Sequence, residues 1–192
     1  MRARGAILVN QEGKRFTNEL LTRDVVSQNE LKQPGQQVYL IYDQSIFDTN
    51  KLSRGYFEHG YSVKADSVAD LAKKINVPVA NLEATFKDYW NAYKTGKDTA
   101  FGRPEMVIPL DKAPFYAAKV TPGIHHTMGG VTINPKTEVQ SKEGKSIPGL
   151  FAAGEVTGGV HGGNRIGGNA VADIVTFGRI AGQNAAAYAE SH

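Results

Sequence analysis

Between Gly158 and Gly168 the chain reads Gly-Gly-Val-His-Gly-Gly-Asn-Arg-Ile-Gly-Gly, six glycines in eleven residues. Glycine forfeits more backbone entropy than any other residue when it is fixed, so this stretch reads as a loop. It follows the apolar run Leu150-Phe151-Ala152-Ala153, which predicts a buried strand, and the pair Gly154-Glu155. It ends at Gly168-Asn169-Ala170, where an alanine-rich segment predicts a long helix from Gly168 through Glu190, opened by Asn169. A plain turn between strand and helix has the same outline, but the glycine density around an Asn-Arg pair points further. A carboxylate at a strand end can accept hydroxyl hydrogen bonds from a ribose. Glycines let the backbone come close to a flat ligand. The free N–H groups of a helix start favour an anionic or electron-rich partner.

Glycine also divides the chain. Fourteen of the 21 glycines lie from Gly123 onward, and there the charges balance at five basic and five acidic. The whole-chain excess, 22 Lys+Arg against 19 Asp+Glu, therefore comes from the residues before it. A boundary is expected near Pro122-Gly123, with a mixed α/β unit first and a ligand-contacting loop system closed by a helix second. With 192 residues and 41% hydrophobic content the chain can bury a real core. No apolar run is long enough for a membrane span, and Met1-Arg2-Ala3-Arg4 precedes too short an apolar stretch for a signal peptide. The absence of cysteine excludes disulfides, thiolate nucleophiles and Cys-ligated metals, and leaves the compartment, cytoplasm or periplasm, open. No basic tract supports nucleic-acid binding.

Before the boundary, Ala6 to Asn10 predicts a strand that turns at Gln11-Glu12-Gly13 into Lys14-Arg15-Phe16. Gln37 to Tyr42 predicts a largely buried strand ended by Asp43. Asp66 or Ser67 is placed to cap a short helix through Ile75, and Pro78 breaks the run ahead of a longer one. In that longer helix Leu82, Phe86, Tyr89, Trp90 and Tyr93 recur at helical spacing as a core face, with Gly96 as the stop. Phe115–Val120 and Gly130–Ile133 read as short strands.

Two further segments carry candidate chemistry. In His125-His126-Thr127-Met128-Gly129-Gly130 the adjacent histidines, if in a strand, face opposite sides and do not ligate one metal easily. His59, His161 and His192 add no metal-ligand spacing. In Asn18-Glu19-Leu20-Leu21-Thr22-Arg23-Asp24 the bland reading of Arg23 beside Asp24 is an exposed ion pair worth at most about 1 kcal/mol. The chain has no Gly-x-Ser-x-Gly elbow, Walker loop or zinc-protease helix.

Taken in order, Arg2 with Gly5-Ala6-Ile7-Leu8-Val9-Asn10, Gly13-Lys14-Arg15-Phe16-Thr17-Asn18-Glu19, His125 to Gly130, and Gly149 to Ala170 resemble the C-terminal portion of the soluble fumarate reductase flavoproteins. That family, in the FAD-linked fumarate reductase and succinate dehydrogenase group, includes the flavin part of flavocytochrome c and urocanate reductase. The resemblance covers essentially the whole chain. It implies an α+β chain: a capping (clamp) domain of mixed α/β structure over residues 1–122, then the C-terminal segment of a Rossmann-like FAD-binding domain over 123–192. In that family substrate lies between cap and FAD domain, against the flavin.

The resemblance also implies roles. Arg23 matches the active-site arginine that donates a proton, and Arg2 an arginine of the relay that resupplies it. His125 and Arg165 match the residues holding one substrate carboxylate. Glu155 matches the acid on the FAD ribose. Gly168, Asn169 and Ala170 match the helix start near the flavin ring, and Thr127, Met128, Gly129 and Gly130 a backbone stretch along its edge. The chemistry fits these residue types: hydride from reduced flavin reaches one alkene carbon of an unsaturated acid, and charge-assisted donors stabilise the negative charge that grows beside it. Arginine is a weak acid, with a pKa above about 12, but a nascent carbanion is more basic still.

The family's Gly-x-Gly-x-x-Gly fingerprint and its further substrate-contacting His, Thr and acidic residues are expected upstream of Met1, and so is any haem or flavin electron-donor domain. The chain is thus expected to be an excised or truncated part of a flavoprotein, binding FAD weakly or not at all when alone. Its partners would be a fumarate- or succinate-like dicarboxylate and the upstream part of the FAD domain. Competing readings are a reductase of urocanate or methacrylate, an oxidase of the aspartate oxidase type, and a catalytically silent binding module.

Overall fold

The computed structural model describes residues 1–192 and divides them into two compact units, Met1–Pro122 and Gly123–His192. The first unit is built on an antiparallel sheet. A short 3-10 turn, Arg2–Arg4, leads into strand β1 (Ile7–Val9), followed by helix α1 (Arg23–Leu31), strand β2 (Val38–Asp43), helices α2 (Gln44–Thr49) and α3 (Lys51–Glu58), strand β3 (Ser62–Ala65), helices α4 (Val68–Lys74) and α5 (Val79–Thr95), and strand β4 (Phe115–Val120). The sheet order is β1-β2-β4-β3, with Leu8 opposite Leu40 and Leu40 opposite Ala118. The expected hairpin after β1 is reduced to one bridge, Val9 to Arg15, and the Asn10 amide donates to the Lys14 carbonyl at 2.9 Å.

Local chemistry explains the element ends. Asp43 closes β2 and then caps α2, its carboxylate accepting from the Ile46 amide at 3.2 Å. Of the two candidate caps for α4, Ser67 takes the role, its hydroxyl accepting from the Asp70 amide at 3.0 Å. Gly96 ends α5 in the left-handed region at φ 67. The core joins Ile7, Leu8, Val9, Ile41, Tyr42, Ile46, Leu71, Leu82, Tyr89 and Tyr116.

The aromatic stripe of α5 needs correction. Leu82, Thr85, Tyr89 and Ala92 form the buried face, whereas Trp90 and Tyr93 are 38% and 37% exposed. Each lies about 100° around the helix from a buried neighbour, which puts it on the rim. There the Lys94 ammonium sits 3.4 Å from the Trp90 ring centroid.

The second unit holds strands β5 (Val131–Thr132), β6 (Glu138–Gln140), β7 (Ser146–Phe151) and β8 (Thr157–Gly158), and helix α6 (Asn169–Ser191). β5 pairs in parallel with β8, and β6 antiparallel with β7. Helix α6 packs on β7, with Tyr188 edge-on to Phe151 at 6.2 Å. The expected buried strand over Leu150–Ala153 is a second correction: β7 runs earlier, and Leu150 is 47% exposed. A β-strand is buried on both faces only when layers cover both, and here α6 covers one. Val139 is the one buried hydrophobic residue of this unit.

Candidate functional site

The chemistry-bearing residues of the first unit gather where the Arg2–Arg4 turn meets α1. Arg23 opens α1 and is exposed, and Glu30, two turns on along the same stripe, is buried. Arg2 comes from the other side. Burial pulls its guanidinium below the usual arginine range, the neighbouring charge of Arg23 adds to that, and Glu30 and Glu19 oppose it. One nitrogen of Arg2, Nη1, is buried with no hydrogen-bond partner. Burial in turn raises the Glu30 carboxyl above its ordinary value, against the pull of Arg2. The sequence reading placed Arg2 and Arg23 but missed Glu30, whose position seven residues beyond Arg23 was the available signal.

A buried ion network holds this corner in place. Glu19 accepts from Arg15 Nε and Nη2, both at 2.8 Å, from Arg103 Nη1 at 3.1 Å, and from the Leu8 amide at 3.3 Å. Arg15 also reaches Asp98 at 2.9 Å. Arg103 donates to the carbonyls of Arg2 at 2.8 Å, Ala6 at 3.1 Å and Glu105 at 3.0 Å, so the turn carrying Arg2 is fixed through its backbone. Tyr89, pushed up to about 12 by burial, donates to the Gly5 carbonyl at 3.1 Å. This work falls to arginine because its planar fork offers five donors in fixed directions.

In the second unit, His125 to Gly130 runs as irregular chain, and of the strand expected over Gly130–Ile133, Val131 and Thr132 form β5 while Ile133 makes a single bridge to Val139. His125 is exposed and His126 turns inward, its Nδ1 3.5 Å from Glu155 Oε2. The other oxygen of Glu155 accepts from the Thr127 amide at 3.0 Å, with the Thr127 hydroxyl at 3.5 Å. The Thr127 amide is the main cause that holds the Glu155 carboxyl below the usual carboxylate range, and His126 and His125 add to it. Glu155 therefore ties the His125–Gly130 stretch to the end of β7, a role its sequence position alone did not reveal.

Glycine is required where these segments meet. A Cβ at Gly130 would overlap the Val156 carbonyl, and one at Gly158 would come within 2.7 Å of the Gly130 amide nitrogen. Gly168 precedes α6 at φ 94 without a side-chain cap, leaving the first-turn N–H groups of Asn169 and Ala170 without a capping side chain. Arg165 is half-buried, with Nε buried and unpartnered and Nη1 3.4 Å from the Ile166 carbonyl. His161 and Asp173, passed over in the sequence, pair at 3.0 Å. A lone carboxylate inside the apolar run Ala170-Val171-Ala172-Asp173-Ile174-Val175 was the signal for it. Nowhere do three or more His, Asp or Glu side chains gather as a metal site, and no helix is long and apolar enough to cross a membrane.

A mixed α+β first unit followed by strand, acid, glycine-rich loop and uncapped helix start defines a nucleotide-cofactor flavoprotein segment. The chain belongs to the FAD-binding domain family, whose model matches residues 1–171. It is 53% identical over 189 residues to a probable fumarate reductase of Shewanella frigidimarina, covering 98% of this chain and 32% of that protein. It is 36% identical over 193 residues to a urocanate reductase of Eggerthella lenta, covering 96% of this chain and 32% of that protein. Among solved structures it superposes on the open conformation of a flavocytochrome c3 fumarate reductase with a TM-score of 0.79 at 53% identity, covering 98% of this chain and 33% of that one. The chain thus spans about a third of the length of the curated relatives it matches.

The residues present suit FAD. The close Gly130–Gly158 backbone approach leaves no room for side chains at that point, and the start of α6 has no capping side chain over its first turn. Beside them Ile166, Val171 and Ile174 are exposed, apolar cover of the kind a flat ring takes.

Proposed function

We propose that this chain is the capping domain, residues 1–122, and the returning C-terminal segment of the FAD domain, residues 123–192, of a flavin-dependent reductase of fumarate-like unsaturated dicarboxylates. FAD, when bound, supplies hydride chemistry. Thr127, Met128, Gly129 and Gly130 would lie along the flavin edge, Gly168, Asn169 and Ala170 at the start of α6 would face the ring, and Glu155 would serve the ribose side.

His125 and Arg165 hold one substrate carboxylate and stabilise the negative charge that spreads onto it. Arg23 gives a proton to the carbon beside that carboxylate, and Arg2 returns one to Arg23. The observation carrying this reading is the state of Arg2. Its guanidinium is desolvated, lacks a partner at Nη1, and feels the charge of Arg23, all of which favour releasing a proton. The 53% identity to a probable fumarate reductase supports fumarate as the first substrate to try.

The test is Arg23→Ala in the FAD-loaded protein, with dye-linked fumarate reduction as readout. A positioned acid contributes about 10²–10⁴-fold, and kcat should fall by that much. Fumarate reduction at the normal rate would exclude the mechanism. An oxidase of the aspartate oxidase type has no need of an acid at position 23.

A further inference from the structure

Helix α6 has 23 residues, and Asp173 is the one that is buried. Its side chain is 2% exposed; Oδ2 lies 3.0 Å from His161 Nε2, and Oδ1 has no partner at all. Burying a carboxylate in this half-satisfied way is costly, and an apolar residue would pack the helix better. The charge therefore calls for an explanation at its other end.

An ionised carboxylate only accepts, so, paired with one, His161 donates from Nε2, and the 3.0 Å contact orients the ring. His161 lies in the glycine-rich loop, where Gly159 and Gly162 are in the left-handed region at φ 90 and φ 62 and bring no side chain to hold it. The His161–Asp173 bond ties that loop to α6. Arg165 follows four residues later in the same loop, its Nε buried and unpartnered. On its other side the His161 ring meets His126 edge-on, with centroids 5.9 Å apart. His126 adjoins His125 and faces Glu155.

We propose that Asp173, acting through His161, is the common positioning residue for both halves of the carboxylate clamp: Arg165 through the loop, and His125 through His126. This rests on the reading above that His125 and Arg165 hold the substrate carboxylate.

Two substitutions separate positioning from packing. Asp173→Leu keeps the branched outline of the side chain, suits the apolar run of α6, and releases His161. Asp173→Asn keeps an acceptor but not the charge. Misplacing a clamp by about 1 Å can cost 10²-fold, so kcat/KM for fumarate should fall about a hundredfold in Asp173→Leu and less in Asp173→Asn. In the full chain, ¹⁵N shifts of His161 should report the Nε2–H form in the parent and a mixture of tautomers in Asp173→Leu. Values of kcat/KM within about twofold of the parent, or an unchanged tautomer in Asp173→Leu, would overturn the proposal. If Asp173→Leu does not fold, the drop in Asp173→Asn decides, on the same twofold limit. Arg165→Lys distinguishes the two levels: if it too leaves kcat/KM unchanged, the clamp reading fails. If only Arg165→Lys lowers it, the clamp stands and Asp173 is not its anchor.

Discussion

The two units handle charge and apolar surface in opposite ways. Residues 1–122 bury their apolar side chains on one another and enclose a four-residue ion network, Arg15, Glu19, Asp98 and Arg103, whose members are all but dry. Residues 123–192 bury one hydrophobic side chain, Val139, and leave Ile124, Ile166, Val171, Ile174 and Val175 outside. In the first unit the sheet has helices against it and finishes its own core. In the second, short strand pairs and a helix present surfaces that the unit does not itself cover. The two units therefore draw their order from different sources. The first unit can hold Arg2 by hydrogen bonds from a rigid frame, whereas in the second the glycine-rich loop is tied to α6 through the His161–Asp173 pair.

This contrast can be broken most readily at Glu19. Its carboxylate receives two arginines, so Glu19→Ala leaves both guanidiniums buried without their shared partner. Breaking a buried pair costs about 3–5 kcal/mol, and urea unfolding followed by the fluorescence of Trp90, the one tryptophan, should register a loss of that size. A loss under about 1 kcal/mol would mean the network is not the frame described.

Leu82→Ala in the first unit should cost about 2–5 kcal/mol. Ile174→Ala in the second should stay within about 0.5 kcal/mol, because the side chain is half exposed already. Equal losses by thermal or chemical unfolding would show that α6 is covered in solution.

A smaller effect, and one that depends on pH, is expected at Asp98. Burial works against its ionised form, but Arg15, by hydrogen bond and charge, and the amides of Phe101 and Arg103 outweigh it and hold the carboxyl below its ordinary value. A carboxyl lowered in the folded state stabilises above its unfolded value, near about 3.9, and that stability is lost as pH falls through the lower folded value. Asp98→Asn should therefore cost about 1.5–3 kcal/mol at neutral pH, and its unfolding curve should approach that of the parent in acid. Parallel curves at all pH values would contradict the assignment.

Much of this was legible in the chain itself. Strands β2 and β4, the stop of α5 at Gly96, the cap at Ser67 and the long α6 follow from local rules: alternating or continuous apolar runs, capping side chains, and the left-handed tolerance of glycine. Family membership was legible for a related reason, since the glycine-rich loop and the His-His-Thr-Met-Gly-Gly stretch are contiguous. The rim position of Trp90 and Tyr93 was not, because a repeat of aromatics gives spacing but not which residue of each turn faces the sheet. The exposure of Leu150 was not either, because a strand's burial depends on layers elsewhere in the fold.

The sequence by itself determined the end of β2 at Asp43, the cap of α4 at Ser67, the stop of α5 at Gly96 and the presence of a glycine-rich, helix-opening segment, since those depend on neighbours a few residues apart. Only the tertiary structure decided that Arg103 would grip the carbonyl of Arg2 from 101 residues away, that Glu30 would face it, and that Asp173 would be buried against His161. Such pairings join positions whose separation along the chain carries no period, so their energies exist only once the chain has closed on itself.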